Sequence, residues 1–363
     1  AAALLCIDSI PAEVAWRAID IPTLVVLTGM MIINGQLEAA GFFSHAAYHM
    51  TRWARHGSVL LLLVMLISAV LSALFLNDTV VFLLTPLIII IARQSDMAPL
   101  PLLLGVATSA NIGSAATITG NPQNIVIGNL SHIGFVPFVT AMWPLCLLAL
   151  VVAWLIICLV HWPQLASMPH VHRVTLAPFA APRVVLAIIL LVSGLGLGLS
   201  PAVAVGVAAA SLLWQRNGDT QTPLHAIDGN LLLFFAALFV VTAAVRESML
   251  AQALFAQVSV LIAGRLDILV VVAAILSNLI SNVPAVLVLT PLIETFATHH
   301  TAWLVLAASS TFAGNSTLLA SVANLIVAER AAAHGVTVSF GSYMRVGLPI
   351  TLATLMMTWW WYA

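Results

Sequence analysis

LSALFLNDTVVFLLTPLI (residues 71–88) and LSNLISNVPAVLVLTPLI (residues 276–293) are two copies of one apolar stretch. They align without a gap, and 10 of the 18 positions are identical, including Asn77 with Asn282 and the closing Thr-Pro-Leu-Ile. Polar residues interrupt each copy near its centre. In hydrocarbon, backbone that leaves a helix must be buried in protein or line a cavity, because an unsatisfied amide costs several kcal/mol. Matched interruptions in two halves of a chain indicate the binding site of a transporter.

The composition is that of a membrane protein with many spans. The chain is 62% hydrophobic and 6% charged, whereas soluble domains are about 25% charged. We therefore expect a multi-pass protein of the plasma (inner) membrane, with the lipid bilayer as its main partner. The net charge of -1 argues against nucleic acid as a partner. The pairs His170/His172 and His299/His300 fit solvated interfacial positions better than a metal site.

Apolar runs of about 17–25 residues are long enough to cross a bilayer. Two regions differ, because each consists of two short helices around a polar break, which indicates a re-entrant hairpin rather than two spans. These hairpins are 58–92 and 266–298. The predicted spans are 21–41, 100–128, 135–160, 184–199, 201–214, 229–245, 302–328 and 345–362.

The arginines predict the orientation of the hairpins. If the first hairpin enters and leaves on the cytoplasmic side, eight arginines are cytoplasmic and three are outside, as the positive-inside rule requires. The second hairpin then lies on the opposite face, and the repeats are inverted. The cytoplasmic arginines are Arg52, Arg55, Arg93, Arg173, Arg183, Arg216, Arg330 and Arg345; the outer ones are Arg17, Arg246 and Arg265.

The duplication extends beyond the hairpins. Ile19-Asp20 corresponds to Ile227-Asp228, and GSAATITGNPQNIVI (113–127) corresponds to AGNSTLLASVANLIV (313–327). Three blocks in the same order predict an inverted repeat. The predicted organisation is the end of an amino-terminal helix and a loop (1–18), the first repeat (19–160), a cytoplasmic loop (161–183), connecting helices (184–226) and the second repeat (227–363).

Four polar breaks are expected to meet near the middle of the membrane: Asn77-Asp78-Thr79, Ser281-Asn282, 113–124 and 313–324. The last two interrupt the spans 100–128 and 302–328, which are therefore predicted to be broken helices. Glycine lets the backbone leave a helix, and the freed carbonyls can hold a cation while exposed amides attract an anion or a hydroxylated solute. Capping of the half-helices is the structural alternative. The candidate solute-binding residues are Asn77, Thr79, Thr117, Ser281, Asn282 and Thr317. The candidate coupling-ion residues, for sodium or a proton, are Asn77, Asp78, Gly120, Asn124, Asn282 and Asn324.

Asp78 is the sharpest single candidate. A carboxylate near the middle of a membrane is expensive and usually functional. The alternative is an N-cap for a helix that begins at Val80. The second copy has Val283 at the matching position, so only one half carries this charge. Because no arginine is predicted in the core of a span, a coupled cation or a neutral solute suits the site.

These residues resemble the ion transporter superfamily that contains arsenite efflux permeases, divalent-anion/sodium symporters and P-protein relatives. Asn77-Asp78 resembles the hairpin of arsenite permeases, GSAATITGNPQN (113–124) a stretch of the symporters, and AGNSTLLASVAN (313–324) a stretch of the permease and P-protein branch. The closest likeness is to an arsenite-permease-like or anion permease branch. The paired Ser-Asn-Thr motifs of the symporters are absent, which argues against dicarboxylate recognition.

The resemblance implies an all-α, elevator-type transporter, a homodimer, with sodium or proton coupling around Asn77, Asn124, Asn282 and Asn324. We expect an ion-coupled secondary transporter of a small anion or its neutral acid, of the arsenite, oxyanion or carboxylate class. A sodium/proton antiporter is the alternative. No cofactor is expected apart from candidate bound sodium ions. An enzyme is not expected, because the chain has no His-Glu-x-x-His, no Gly-x-Ser-x-Gly and no histidine in mid-span.

Overall fold

The computed structural model describes residues 11–42, 45, 54, 56–166, 181–214, 224–248, 257–260, 262 and 264–363. The expectations for His170, His172 and the first ten residues lie outside this part of the chain. So do four of the arginines on which the orientation was predicted: Arg52, Arg55, Arg173 and Arg216.

The described residues are helical throughout their regular structure. The first helices are α1 (Ala12–Ala18), α2 (Ile21–Ala39), α3 (Gly57–Leu74), α4 (Asn77–Gln94), α5 (Pro99–Ser114), α6 (Pro122–Ser131), α7 (Phe135–Val160) and α8 (Trp162–Leu165). The remaining helices are α9 (Pro182–Gly196), α10 (Pro201–Leu213), α11 (Gly229–Glu247), α12 (Leu266–Ile280), α13 (Asn282–Ile293), α14 (His299–Ala313), α15 (Val322–Ala333) and α16 (Phe340–Tyr362).

Four of these helices, α2, α3, α4 and α7, are long and apolar enough to cross a membrane. The predicted spans agree with the helices to within a few residues, and the two long spans expected to be broken are each divided in two. Before the first predicted span, Ala12–Ala18 forms a further helix. It packs on α11 through the small cluster of Ala15 and Val240.

The helices α3 and α4 form the first hairpin. A Cβ atom built on Gly57, where α3 begins, would lie 2.6 Å from the Met97 side chain just after α4 and 2.6 Å from the Leu165 carbonyl oxygen. The two open ends of the hairpin therefore lie together. Each arm, α3 and α4, has 18 residues, about 27 Å at 1.5 Å per residue.

The second hairpin, α12 and α13, opens at the other end of the molecule. The directions of the two hairpins can be compared along helix α16. Asp267, at the start of α12, shares a groove with Trp359 near the end of α16. At this end of α16 the Tyr362 hydroxyl donates to the Ala141 carbonyl oxygen near the start of α7, at 3.2 Å. The other end of α16 lies near the end of α7. Burial is the larger cause that lowers the pKa of His161 there, and the Arg345 guanidinium is close enough to lower it further, while a hydrogen bond to Gln164 opposes the shift. The first hairpin opens at this end, where Leu165 lies.

The two aspartates that were paired in the sequence have the same structural role. Asp20 caps α2, and its carboxylate accepts a hydrogen bond of 3.2 Å from the backbone N–H of Thr23. Asp228 caps α11 and accepts bonds of 2.9 Å and 3.1 Å from the N–H groups of Asn230 and Leu231. Such caps satisfy amides that have no partner inside the helix.

The helices α3 and α5 are in direct backbone contact. A Cβ atom on Gly113 would lie 2.2 Å from the carbonyl oxygen and 2.4 Å from the Cα atom of Ala69. A Cβ atom on Gly105 would meet only side chains, with Leu61 nearest at 2.6 Å. Small residues of this kind let membrane helices approach closely, and here they seat the first hairpin against the helix that ends at the first break.

We expect Gly113→Ala to destabilise the protein by about 1–3 kcal/mol, because backbone atoms cannot move aside for the new methyl group. Gly105→Ala is expected to cost less, since the Leu61 side chain can change its rotamer. Gly206→Ala is the control, because nothing lies within 4 Å of a Cβ atom there. Thermal melting of the three purified variants in one detergent ranks them, and equal melting temperatures for all three would contradict the contact.

Candidate substrate and ion site

Two broken helices lie in the middle of the fold, and each consists of two shorter helices separated by an interruption. Helix α5 ends at Ser114 and α6 begins at Pro122, where proline is tolerated because its missing N–H would have no partner anyway. Asn121 caps α6, and its Oδ1 accepts a bond of 2.8 Å from the N–H of Asn124. In the second half α14 ends at Ala313 and α15 begins at Val322. Both interruptions fall in the ranges that the sequence predicted.

Each interruption is held by one asparagine that bonds the freed carbonyls. Asn124 Nδ2 donates to the carbonyl oxygens of Ser114 at 3.2 Å and of Thr117 at 2.9 Å. Asn324 Nδ2 donates to those of Gly314 at 2.7 Å and Thr317 at 3.0 Å. The donors and the acceptors correspond between the halves, because each residue of the second set lies 200 positions after its counterpart in the first: Asn124 and Asn324, Ser114 and Gly314, Thr117 and Thr317. Asn124 and Asn324 therefore have the same structural role in the two halves.

Each interruption also contacts the hairpin of its own half. The Thr117 hydroxyl donates to the carbonyl oxygen of Ala73, and the Ser316 hydroxyl donates to Oδ1 of Asn278. Ala73 and Asn278 are equivalent in the aligned hairpins, 205 residues apart. In the first half the N–H of Asn77 also donates to the Gly120 carbonyl oxygen at 3.0 Å. Hairpin and broken helix thus form one unit in each half.

The two halves meet at Asn111. Its Oδ1 accepts from Asn77 Nδ2 at 3.2 Å and from the Ser321 hydroxyl at 3.1 Å. Its Nδ2 donates to Oδ1 of Asn315 at 2.9 Å and of Asn324 at 3.1 Å. A carboxamide offers two donors and two acceptor sites, so Asn111 is fully used. These five residues, Asn77, Asn111, Asn315, Ser321 and Asn324, are the amide cluster.

A reciprocal contact joins the halves in the other direction. Thr311, 200 residues after Asn111, accepts bonds at its hydroxyl from Asn121 Nδ2 at 3.5 Å and from Gln123 Nε2 at 3.2 Å. Asn111 thus bonds residues of the break in the second half, and Thr311 bonds residues of the break in the first half. Asn111 and Thr311 were not among the predicted site residues. The sequence feature that could have pointed to them is their position just before a break: Asn111 lies three residues before the end of α5, and Thr311 lies two residues before the end of α14.

The structure excludes the capping explanation for the hairpin asparagines. Leu76 and Ser281 occupy the N-cap positions of α4 and α13, and neither makes a side-chain cap bond. Asn77 and Asn282 are the first residues of these helices. Asp78 is not a cap either, because α4 begins at Asn77 rather than at Val80. It lies in the first helical turn, half-buried, where a helix dipole favours a negative charge.

Several buried oxygen atoms close to the breaks have no hydrogen-bond partner. In the described part of the chain they include Oδ1 of Asn77, Asn124 and Asn282 and the hydroxyls of Ser72 and Ser277. Ser72 and Ser277 are equivalent positions, as are the two hairpin asparagines. An unsatisfied buried polar group costs about 1–3 kcal/mol. Amide and hydroxyl oxygens beside unwound backbone are suitable ligands for sodium, so the residues present fit a bound cation in each half.

The second hairpin tip is more open than the first. Phe75 and Leu76 of the first tip are buried, whereas Leu279 of the second is 73% exposed. Ser281 has φ 75° and ψ 160°, a region that is essentially restricted to glycine and costs about 1–3 kcal/mol for other residues. Asn282 is half-buried, and its Nδ2 lies 3.5 Å from the position of a Cβ atom on Gly314. Thr79 is half-buried beside Asp78.

Comparison with known protein families identifies the family of this chain. Residues 1–313 match the family described as CitMHS, citrate transporter. The chain belongs to this family. It is a multi-pass membrane transporter and not an enzyme, and the resemblance to the ion transporter superfamily is confirmed.

Individual relatives match this citrate transporter family member over most of its length. The silicon efflux transporter LSI3 of Oryza sativa subsp. japonica is 29% identical, over 94% of this chain and 86% of that protein. An uncharacterized transporter of Mycobacterium tuberculosis is 26% identical, over 94% and 85%. The crystal structure of the Alcanivorax borkumensis YdaH transporter superposes with a TM-score of 0.63 at 17% identity, covering 94% of this chain and 84% of that one. This likeness shows the fold.

We expect Asn111→Ala to be among the most destabilising substitutions in the site. It would leave donors or acceptors of four buried side chains without a partner, at about 1–3 kcal/mol each before relaxation. Asn129→Ala is the control, because Asn129 is only half-buried and its bonds to Asp20 and Thr23 lie at the far end of α6. Thermal unfolding in detergent measures both. A melting temperature of Asn111→Ala equal to that of the control would contradict the central role of this residue.

Ser281→Gly is expected to raise the melting temperature, because glycine adopts the backbone conformation at this position without steric cost. The expected gain is up to about 1–3 kcal/mol. Ser281→Ala removes the same hydroxyl group but keeps the strain, so it should show no gain. If both variants melt together, the effect comes from the hydroxyl rather than from the backbone.

Proposed function

We propose that the chain is an ion-coupled secondary transporter of a small anion or its neutral acid. The observation that carries this proposal is the amide cluster, in which the first hairpin and both broken helices meet at Asn111. Non-helical backbone is tolerated at membrane depth only where protein buries it or where it lines a cavity. Three of the four breaks meet in this one buried polar cluster, which fits a shared site for solute and ion.

We propose further that the two halves are inverted repeats with re-entrant hairpins, and that they move as in an elevator. The opposite directions of the two hairpins along α16 support the inversion. The equivalent bonds of Asn124 and Asn324 support the repeat. Broken helices at a repeat interface are the usual place of substrate and coupling-ion sites in such transporters. A homodimer is the proposed assembly.

The proposed roles follow from the types of side chain at the site. Solute contacts are assigned to the hairpin tips and the breaks, where hydroxyls and carboxamides both donate and accept: Asn77, Thr79, Thr117, Ser281, Asn282 and Thr317. The coupling sodium ion or proton is assigned to the oxygen-rich positions Asn77, Asp78, Gly120, Asn124, Asn282 and Asn324. Asn77, Asn124 and Asn282 each have an unpartnered side-chain oxygen to offer.

Charge narrows the choice of solute. Asp78 is the charged side chain among the hairpin-tip residues that the structure describes, and no cation belongs to the amide cluster. An ionised Asp78 repels an anion unless a cation is bound nearby. Transport of a neutral acid, or of an anion together with sodium or a proton, therefore suits the site. The same lack of a cation favours the second candidate function, sodium/proton antiport. A sodium pulse on everted vesicles, read with a pH-sensitive dye, separates the two.

Three solutes are the first to test. Citrate is suggested by the description of the family, silicic acid by the name of the rice relative, and arsenite by the likeness of the Asn77-Asp78 hairpin to that of arsenite permeases. Thermal-shift measurements with each solute, with and without sodium, are the first screen. Stabilisation by a solute that depends on one cation identifies the coupling ion and the solute class together. If none of the three stabilises the protein in any salt, this substrate class is wrong.

We expect Asp78→Asn to abolish ion-coupled transport in proteoliposomes, because a carboxamide neither binds a proton at neutral pH nor neutralises a cation. Asp96→Asn is the matched control. Asp96 is exposed in the turn after α4, at φ 52°, a conformation that asparagine also tolerates. Flux is measured with and without a sodium gradient and with and without a pH gradient. Full retention of the ion dependence in Asp78→Asn would show that Asp78 is not the coupling residue.

A further inference from the structure

Asn34 is a buried side chain without a hydrogen bond. It lies in α2, its exposed fraction is 1%, and neither Nδ2 nor Oδ1 has a partner in the described part of the chain. Buried carboxamides are almost always bonded, and a group left without a partner costs about 1–3 kcal/mol. Such a residue in the body of a helix calls for an explanation, such as a ligand or water that it binds.

Helical geometry indicates which way Asn34 points. Gly29 faces α10, since a Cβ atom there would lie 2.5 Å from the Val205 side chain. Asn34 follows five residues later, roughly 140° around a helix of 3.6 residues per turn. Thr23 is on the same side as Asn34, and it bonds Asn129 of α6 at 3.1 Å. Asn34 therefore points away from α10, toward the helices of the site.

The next residue on this side of α2, Glu38, borders a cavity of about 210 Å³ between α2, α4 and α15. The Arg330 guanidinium forms part of its wall and lies 3.4 Å above the ring of Phe82. Nε of Arg330 is buried and has no hydrogen-bond partner, and no ion pair joins Glu38 to Arg330 among the described residues. The lining residues are Glu38, Gly41, Phe82, Leu83, Pro86, Leu87 and Arg330.

The helices α2 and α4 run toward this cavity in the same direction. Helix α2 passes the end of α6 at Thr23 and reaches the cavity at Glu38, so it runs from the end of α6 past its start. Helix α4 begins at the start of α6, where Asn77 bonds Gly120, and reaches the cavity at Phe82. Both helices therefore approach the cavity from the side of the amide cluster.

Asn34 and Asp78 consequently lie at the same level. Asn34 is four residues before Glu38 in α2, and Asp78 is four residues before Phe82 in α4. Each is one helical turn, about 6 Å, from the cavity in the direction of the amide cluster. From the cavity toward the amide cluster, the carboxylate of Glu38 therefore comes first, and the carboxamide of Asn34 and the carboxylate of Asp78 lie about one turn deeper on their two helices.

We propose that this cavity is a vestibule through which a small, uncharged, hydroxylated solute reaches the hairpin tip, and that Asn34 binds the solute on its way. This rests on the proposed function, of which it specifies the route. The vestibule offers acceptors at Glu38 and at Oδ1 of Asn34, and donors at Arg330 and at Nδ2 of Asn34. One negative and one positive charge face the same small space, so a neutral solute that both donates and accepts hydrogen bonds fits better than an ion of either sign.

The first experiment asks whether the route is open to water, and it does not depend on transport. Asn34→Cys and Glu38→Cys are made in a background from which the cysteines Cys6, Cys146 and Cys158 have been removed. Each variant is exposed, in membranes, to a small water-soluble maleimide. We expect both to react, and Met30→Cys, a fully buried position on the same helix, to remain unlabelled. If Asn34→Cys is as unreactive as Met30→Cys, the vestibule does not reach Asn34 and the proposal is overturned.

The second experiment measures transport of citrate, silicic acid and arsenite in proteoliposomes. Asn34→Leu keeps the approximate volume but removes both polar atoms, so the melting temperature should be unchanged or higher. Transport should nevertheless fall about tenfold in initial rate at low solute concentration, the equivalent of one lost hydrogen bond. Met30→Leu, a volume-conserving change in the same helix, should transport normally.

The outcomes separate the route from the function. If the wild-type protein carries none of the three solutes, the proposed function fails for this class, and the labelling alone decides whether the route exists. If the wild type transports and Asn34→Leu is stabilised but transports at the wild-type rate, Asn34 is an unused polar group and the vestibule is refuted. If Asn34→Leu does not fold, Glu38→Gln replaces it, and an unchanged rate and apparent affinity for solute in that variant count against the proposal.

Discussion

The Asn111 carboxamide is the interaction on which the arrangement of the site depends. Its two donors and two acceptors are all used, and its partners come from the first hairpin and from the broken helix of the other half. A buried network that is fully satisfied fixes one geometry, whereas a partly satisfied one is costly. Because the four partners are themselves at helix ends or breaks, one side chain determines how those ends are placed relative to one another.

The surrounding structure follows from the need to satisfy backbone groups away from water. Each break frees carbonyl groups, and in both halves an asparagine of the following helix binds them. Each break is then held against its hairpin by a hydroxyl group, Thr117 in the first half and Ser316 in the second. Close helix contact at Gly113 brings the first hairpin within reach of these bonds. Most polar groups of the repeat are therefore occupied by hydrogen bonds that hold the breaks in place, and only the side-chain oxygens without a protein partner are available to an ion or a solute.

The sequence alone predicted the helices and the breaks well, for a physical reason. Apolar runs ended by Gly, Pro, Asn and Ser have few alternatives in a membrane protein, so the positions of α2, α7 and both interruptions followed from composition. The pairing of Asn124 with Asn324 followed from the repeat. Asn111 and Thr311 were missed, because their importance depends on contacts between residues about 200 positions apart.

The backbone of Ser281 gives the two hairpins different mechanical properties. The first tip is buried and tied to Asn111, whereas the second is exposed and contains a serine in a conformation that only glycine adopts without cost. Any rearrangement that returns Ser281 to ordinary backbone angles releases that free energy, while a rearrangement at the first tip must break buried hydrogen bonds. Conformational change at the tip of the second hairpin is therefore thermodynamically easier than change at the first tip, because the former releases backbone strain and the latter breaks buried hydrogen bonds.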